Sequence, residues 1–301
     1  MSPTAITEQP ATNGKAKVAD PLLALDKVLP VLSRNPLKDR MQAGNFSPCY
    51  YIQMVSSPEV LNLAKLAGYH ATVLNLEHHK TGIETASDIC LAALNRGIAP
   101  ICIVPSLQND WISRLLDNGA QGIIVPRVGT ADMAKEMVRF GKHRPLGERP
   151  LAFSPQLQFQ IPDFKQAQEA QNLTSIIAPM IETVEGLSNV EEIAAVHGLD
   201  AIFVGVHDLS DDMGIGGEFS NPLIYDALSK ICRAAAANGL YVGFGGLEWR
   251  PDLIGRLRKD FGSTVAFGIA GRDGVFLLNG MREVVKRFQD VEAGIDVPAL
   301  A

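Results

Sequence analysis

The sequence lacks the marks of several large protein classes. Its four cysteines, Cys49, Cys90, Cys102 and Cys232, form no C-x-x-C pair. That argues against a disulfide scaffold or a zinc ribbon and for a reduced, cytoplasmic setting. No apolar run reaches the ~18 residues a membrane span needs, so no membrane association is expected. The opening MSPTAITEQPATNGKAKVAD has neither the apolar core of a secretory signal nor the Arg-rich character of a transit peptide. Small, polar and proline-containing, residues 1–20 read as a disordered or loose arm. There is no basic tract and no aromatic–basic interleaving, and the net charge is −6, so no nucleic acid partner is expected. Neither G-x-G-x-x-G nor a Walker A sequence occurs, which leaves a nucleotide-binding doubly wound sheet without its motif.

What the chain does have is apolar material in a regular rhythm. It has 301 residues, 47% of them hydrophobic, ample for a sizeable core. From Cys49 onward a short β-rich run, a turn and an amphipathic helix repeat eight times. The runs are Cys49–Met54, Ala71–Glu77, Ile101–Pro105, Gly122–Pro126, Ser175–Glu182, Ala201–Asp208, Tyr241–Gly246 and Thr264–Ala270. They are nearly continuous in Val, Ile, Leu, Phe and Ala, as expected of strands covered on both faces. Gly68, Gly97, Gly119, Gly198 and Gly239 punctuate the helix ends. Eight such units predict an α/β fold, a (β/α)8 TIM barrel of residues 21–290, with 291–301 as a C-terminal tail. A doubly wound open sheet is the runner-up. Pro21–Leu32 and Asn35–Gly44 are expected to be short helices before the barrel, and Ser188–Val196 a helix between strands 5 and 6. Lys142–Thr174 reads as one long irregular segment, expected to belong to the site or to a subunit contact. Its Arg144 and Arg149 suit either an anion or solvent.

In a barrel the site lies at the C-terminal ends of the strands. Two of those ends carry a carboxylate, Glu182 and Asp208. Carboxylates on adjacent strands repel unless a proton or a cation lies between them, and oxygen-only ligands favour Mg²⁺ or Mn²⁺. Equally, each acid suits the N-terminus of the helix that follows. Strand 2 ends in Asn75-Leu76-Glu77-His78-His79. A histidine, neutral near pH 7, is a natural general base, and His78 is the candidate; the alternative is a histidine that merely bonds a neighbouring loop. Glu77 suits metal ligation or the orientation of a metal-bound water. Strand 3 ends at Ile103 without a polar group, and strand 4 ends in Pro126-Arg127. Strand 5 offers Met180 before Glu182, strand 6 offers His207 before Asp208, and strand 8 runs into Gly271-Arg272-Asp273. Gly245-Gly246 suggests close backbone approach to a ligand.

Five ordered pieces carry a family likeness: Leu76-Glu77-His78, Asn118–Pro126, Pro145–Arg149, Ile181–Gly186 and Ile202–Ser210. With them the chain from about Gly44 to Phe288 resembles the metal-dependent 2-oxo-acid aldolases. That family includes 4-hydroxy-2-oxoheptanedioate aldolase, 2-dehydro-3-deoxyglucarate aldolase and macrophomate synthase. The resemblance implies that Glu182 and Asp208 are metal ligands and His78 the base. A divalent ion would chelate a pyruvate-like unit and stabilise its enolate, with backbone N–H groups around Gly205, Val206, His207 and Asp208 holding the carboxylate. It implies a small oxo-acid-like substrate and a homo-oligomer, hexamer or trimer, whose last helix packs on a neighbour. The chain departs from the family pattern at four places. Ile103 stands where the family has an arginine, Asn75 where it has Asp, Met180 where it has Gln, and Val206-His207 where it has Pro-Ala. Either another cation (Arg127, Arg272 or His207) replaces the arginine, or the substrate is larger and less polar. The expected activity is an aldolase-type carbon–carbon lyase. The alternatives are a biosynthetic enzyme of the macrophomate-synthase type or a non-catalytic descendant.

Overall fold

Eight of the apolar runs become strands because Val, Ile, Leu and Ala there are buried on both sides of the chain. The computed structural model describes residues 20–298; the expected loose arm falls almost wholly outside that range. The chain enters through a 3₁₀ turn, Pro21–Ala24, and helix α1, Pro36–Gln42. There follow β1 (Ser47–Ile52), α2 (Val60–Leu66), β2 (Ala71–Asn75), α3 (Ile83–Asn95), β3 (Ala99–Ile103), α4 (Asn109–Asp117), β4 (Gly122–Val125) and α5 (Ala131–Gly141). The second half runs α6 (Phe164–Thr174), β5 (Ile176–Ile181), α7 (Val184–Ser188), α8 (Val190–Ala194), β6 (Ala201–Gly205) and α9 (Val206–Asp212). It ends with α10 (Pro222–Ala237), β7 (Tyr241–Gly245), α11 (Pro251–Phe261), β8 (Val265–Arg272) and α12 (Asp273–Glu292). The strands pair in parallel, in chain order, and β8 pairs back with β1 to close the barrel. The open sheet is thereby ruled out.

Side chains alternate between two cores. Residues such as Val73, Ile101, Ile103, Ala178, Met180, Phe203 and Phe267 fill the barrel interior. Their neighbours in sequence, among them Leu74, Cys102, Ile123, Ile177 and Val204, pack outward against the helices. The period-2 pattern was masked in the sequence because both faces are apolar. Leu37 and Met41 of α1 join the inner core. Asn35 fixes that helix: its Oδ1 accepts from the N–H groups of Leu37 and Lys38, and its Nδ2 donates to the carbonyls of Gln121 and Thr174. These carbonyls lie at the starts of β4 and β5, so α1 closes the N-terminal end of the barrel.

Four expectations change. Pro21–Leu32 is not a helix but a 3₁₀ turn followed by further turns. Pro30 lacks the N–H a helix interior needs, and Leu22, Leu25, Val28 and Leu32 instead cluster with Ala167 and Ala170 of α6. Lys142–Thr174 is only partly irregular, because it contains α6, whose buried face is made of Ala167, Ala170, Gln171 and Thr174. Small and amide side chains gave that helix little apolar signature. As a connection from a helix to a strand it lies at the N-terminal face, away from the strand ends. Arg149 there is no anion holder: it is buried, donates to Gln171 Oε1 at 2.9 Å and faces Asp117 at 3.6 Å. The helix expected over 188–196 is two short ones, α7 and α8, with Asn189 between them outside helical geometry. Strands 2 and 6 end at Asn75 and Gly205, earlier than expected, so His207 and Asp208 belong to the first turn of α9.

Candidate active site

The C-terminal mouth of the barrel holds a cavity of about 440 Å³. Ten of the eleven sequence-derived candidates line it: Asn75, Glu77, His78, Ile103, Met180, Glu182, Gly205, Val206, His207 and Asp208. The eleventh, Arg127, reaches in through its partners rather than lining the cavity. Local chain geometry explains how these side chains converge. The Oδ1 of Asn75 accepts from the N–H groups of Glu77 (2.8 Å) and His78 (3.1 Å), which folds the chain over the end of β2. Its Nδ2 donates to the Tyr51 hydroxyl. Glu77 is therefore buried in the mouth, with His78 Nε2 3.5 Å from its Oε2 and the Arg127 guanidinium paired to its Oε1. The His78 ring itself is largely exposed.

Arg127 connects two carboxylates. It sits in left-handed backbone geometry, φ 52°, which is uncommon for a non-glycine residue. In that conformation its N–H donates to Glu182 Oε1 at 2.7 Å while its side chain pairs with Glu77. Glu182 follows the last residue of β5 and is 5% exposed. A Cβ at Gly205 would lie 2.6 Å from Glu182 Oε2, so the glycine makes room for the carboxylate. Burial, and then the charges of Asp208 and Glu77, push the Glu182 carboxyl up to about 7, against the opposing pull of the Arg127 N–H. Asp208 is exposed and has no hydrogen-bond partner among the described residues. Gly246, with φ +90°, faces His207: a Cβ there would lie 2.6 Å from the imidazole Cδ2. The His207 ring stands edge-on to Phe219, centroids 4.9 Å apart.

The mouth has two unlike walls. Ile103, Met180 and Phe203 form an apolar one. Across β8, β1 and β2 the wall is polar, with Arg272, Tyr51, Gln53 and His79, the last two joined at 3.1 Å. Sequence reading missed Tyr51, Gln53, Phe203 and Ile269. Strand alternation from Cys49 would have pointed Tyr51 inward, whereas nothing local marks Gln53. Ile103 and Met180 thus give the cavity apolar surface.

A parallel barrel whose strand ends gather carboxylates, histidines and arginines around one cavity defines an enzyme. The comparisons with known proteins narrow the class. Over 220 residues, 72% of this chain and 82% of the relative, the sequence is 34% identical to a 4-hydroxy-4-methyl-2-oxoglutarate aldolase of Hapsidospora irregularis. An HpcH/HpaI aldolase from Desulfitobacterium hafniense superposes with a TM-score of 0.75 at 26% identity, covering 88% of this chain and 98% of that one. Macrophomate synthase superposes with a TM-score of 0.67 at 25% identity, covering 86% and 88%. Residues 51–274 match the HpcH/HpaI aldolase/citrate lyase family, and the chain belongs to that family. It is an aldolase-type carbon–carbon lyase. Among the described residues no helix is long and apolar enough to cross a membrane.

Proposed function

We propose that the mouth cleaves, and in reverse joins, a small 4-hydroxy-2-oxo acid with the help of Mg²⁺ or Mn²⁺. One observation carries the reading: Glu182, Asp208 and Glu77 share one cavity, and only Glu77 has an ion-pair partner among the described residues. Burial first, and then the charges of Asp208 and Glu77, raise the Glu182 carboxyl. A hard cation fits. Glu182 and Asp208 offer oxygen ligands only, and among the described residues no cluster of three or more ligating side chains surrounds them. Two carboxylates with room for water and substrate oxygens is the arrangement Mg²⁺ favours. When bound, the ion supplies Lewis-acid polarisation of the substrate's carboxylate and keto oxygens.

The chain's own groups do the rest. His78 takes the proton of the 4-hydroxyl as the C3–C4 bond breaks. The electron pair moves onto the oxo-acid fragment, and the same proton then returns to its C3. Glu77, between His78 and Arg127, orients the imidazole. Arg127 keeps the spare charge of Glu77 in check and holds Glu182 through its N–H. Gly205, the last residue of β6, and Val206, the first of α9, would offer backbone N–H groups to the oxo-acid carboxylate. The substrate in the relative's name, an oxoglutarate derivative, supports an oxo-acid ligand. The apolar wall of Ile103, Met180 and Phe203 supports a second reading, C–C bond formation on a larger substrate of the macrophomate-synthase kind. The test is pyruvate release from 4-hydroxy-4-methyl-2-oxoglutarate by metal-stripped protein, with and without added Mg²⁺ or Mn²⁺. Release that needs the ion is the expected result. Equal rates without it would remove the metal from the reading, and silence in both would favour the second.

The reading extends to assembly and location. Phe276, Leu277, Met281, Val285 and Phe288 lie exposed along α12. A helix with so much apolar surface in water supports a homo-oligomer, trimer or hexamer, in which a neighbour covers it. Light scattering of the purified chain tests this, and a monomer at micromolar concentration would overturn it. The four cysteines are free and buried, which supports a cytoplasmic setting.

A further inference from the structure

Arg272 owes its position in the mouth to an irregularity in β8. From Cys49 to Tyr51 strand β1 advances two residues, while its partners on β8 advance three, from Ile269 to Arg272. Simple alternation from the inward Ile269 would turn residue 271 inward and residue 272 outward. The extra residue of this bulge reverses that, and Arg272 lines the cavity alongside Ile269. The side chain is then fixed from two sides. Its Nε donates to Glu248 Oε1, and its guanidinium carbon stands 5.4 Å above the centre of the Tyr51 ring. Glu248 is 3% exposed, so the pair is anchored in the protein while Arg272 remains 26% exposed. The two terminal amino groups of the guanidinium have no acceptor among the described residues. A guanidinium carries five N–H donors in a rigid fork that matches a carboxylate; here only the Nε donor is used.

We propose that Arg272 is a specificity residue of the mouth, whose free fork binds the far carboxylate of an oxo diacid. This rests on the reading of Glu182 and Asp208 as the end that takes the oxo-acid group. That group is held on the β5–β6 side. Arg272 is held on the β8–β1 side of the same cavity. A substrate laid between them presents its first carboxylate and keto oxygen to one side and its far carboxylate to the free fork of Arg272. Ile103, on β3 between these sides, meets the carbon chain, with Met180 beside the oxo-acid end on β5. Among the described residues no other arginine lines the cavity, and Arg127 is committed to Glu77.

The experiment is calorimetric binding to the full Mn²⁺-loaded chain of 2-oxoglutarate and of 2-oxopentanoate. The two differ only in the far carboxylate, and neither has the hydroxyl that cleavage needs. Charge-assisted hydrogen bonds predict that the diacid binds roughly 10- to 100-fold more tightly. In the Arg272→Met/Glu248→Gln double variant, which leaves no buried carboxylate unpaired, the ratio should fall to about one. Arg272→Lys should keep part of it, having the charge without the fork. Equal binding of the two ligands by the wild type, no binding of either, or a ratio that survives the double variant would each overturn the proposal. Cleavage of 4-hydroxy-2-oxoglutarate to pyruvate and glyoxylate is followed in parallel. Its absence beside an intact binding ratio would overturn the proposed cleavage of a 4-hydroxy-2-oxo acid and leave the assignment of Arg272 standing.

Discussion

The two ends of the barrel handle buried charge in opposite ways. At the N-terminal end Asp200 sits among cations: Lys142 Nζ lies 2.8 Å from its Oδ2, Lys38 pairs with its Oδ1, and the Ile177 N–H donates to Oδ2 at 2.9 Å. Lys142, 1% exposed, also donates to the carbonyls of Asn172 and Ser175 and to the Ser175 hydroxyl. Burial raises the Asp200 carboxyl, but the two ammonium groups more than offset it and hold it below the usual carboxylate range. Burial brings Lys142 down to about 8, against the pull of Asp200. At the mouth burial, reinforced by the neighbouring carboxylates Asp208 and Glu77, pushes Glu182 up instead. One end is saturated with partners and serves stability. The other is left short of positive charge, which is where a ligand can add the missing partner.

That contrast can be broken at either end. The largest effect is expected at the mouth. Glu182→Ala or Asp208→Ala should abolish metal-dependent pyruvate release and weaken Mn²⁺ binding by at least ~10²-fold, since even outer-shell changes cost about 10–100-fold. Titration calorimetry reads this, and unchanged affinity in both variants would sink the assignment. Next comes His78→Ala, which should lower kcat by about 10²–10⁴-fold while leaving Mn²⁺ affinity intact. Full activity would place the base elsewhere.

At the saturated end the sign of the experiment changes. Asp200→Ala leaves Lys142 buried without its counter-charge and should destabilise the fold by about 3–5 kcal/mol, with kcat per folded molecule unchanged. Denaturant unfolding and kinetics together decide this. A variant as stable as the wild type would mean the ion pair is dispensable.

The smallest expected effect sharpens the comparison through pH. The folded pKa of Glu182, about 7, lies above its ordinary value, so the folded metal-free protein binds more protons than the unfolded chain between those two values. Its stability should therefore fall as pH rises through that window, by up to ~3 kcal/mol. Glu182→Gln should flatten the fall. Asp200, held low, acts with the opposite sign: its contribution is present at neutral pH and is lost on acidification below the ordinary carboxylate range. Metal-free melting curves of wild type and Glu182→Gln across pH test the difference, and parallel curves would contradict it.

Much of this was legible in the chain. The eight strands needed only short apolar runs bounded by glycine, because a strand buried on both faces has no other way to be built. Glu182, Asp208, Asn75 and His78 were legible because a parallel barrel always presents its strand ends on one face. The helix α6 was not, since its buried face is alanine, glutamine and threonine, which pattern like a loop. Nor was the placement of 142–174 at the far end, although the order of helix before strand dictates it.

The sequence by itself determined the number of strand–helix units, the apolar layers and the carboxylates that crown β5 and β6. These follow from the periodicity of side chains along a strand and from the one-way run of the chain. Only the tertiary structure decided which side chains meet. Arg127 takes a left-handed turn and ties Glu77 to Glu182. The bulge beside Tyr51 swings Arg272 into the mouth. Gly205 and Gly246 stand aside for Glu182 and His207. Such contacts join residues tens to hundreds of positions apart, and their register depends on how a closed barrel staggers its strands, which no local pattern encodes.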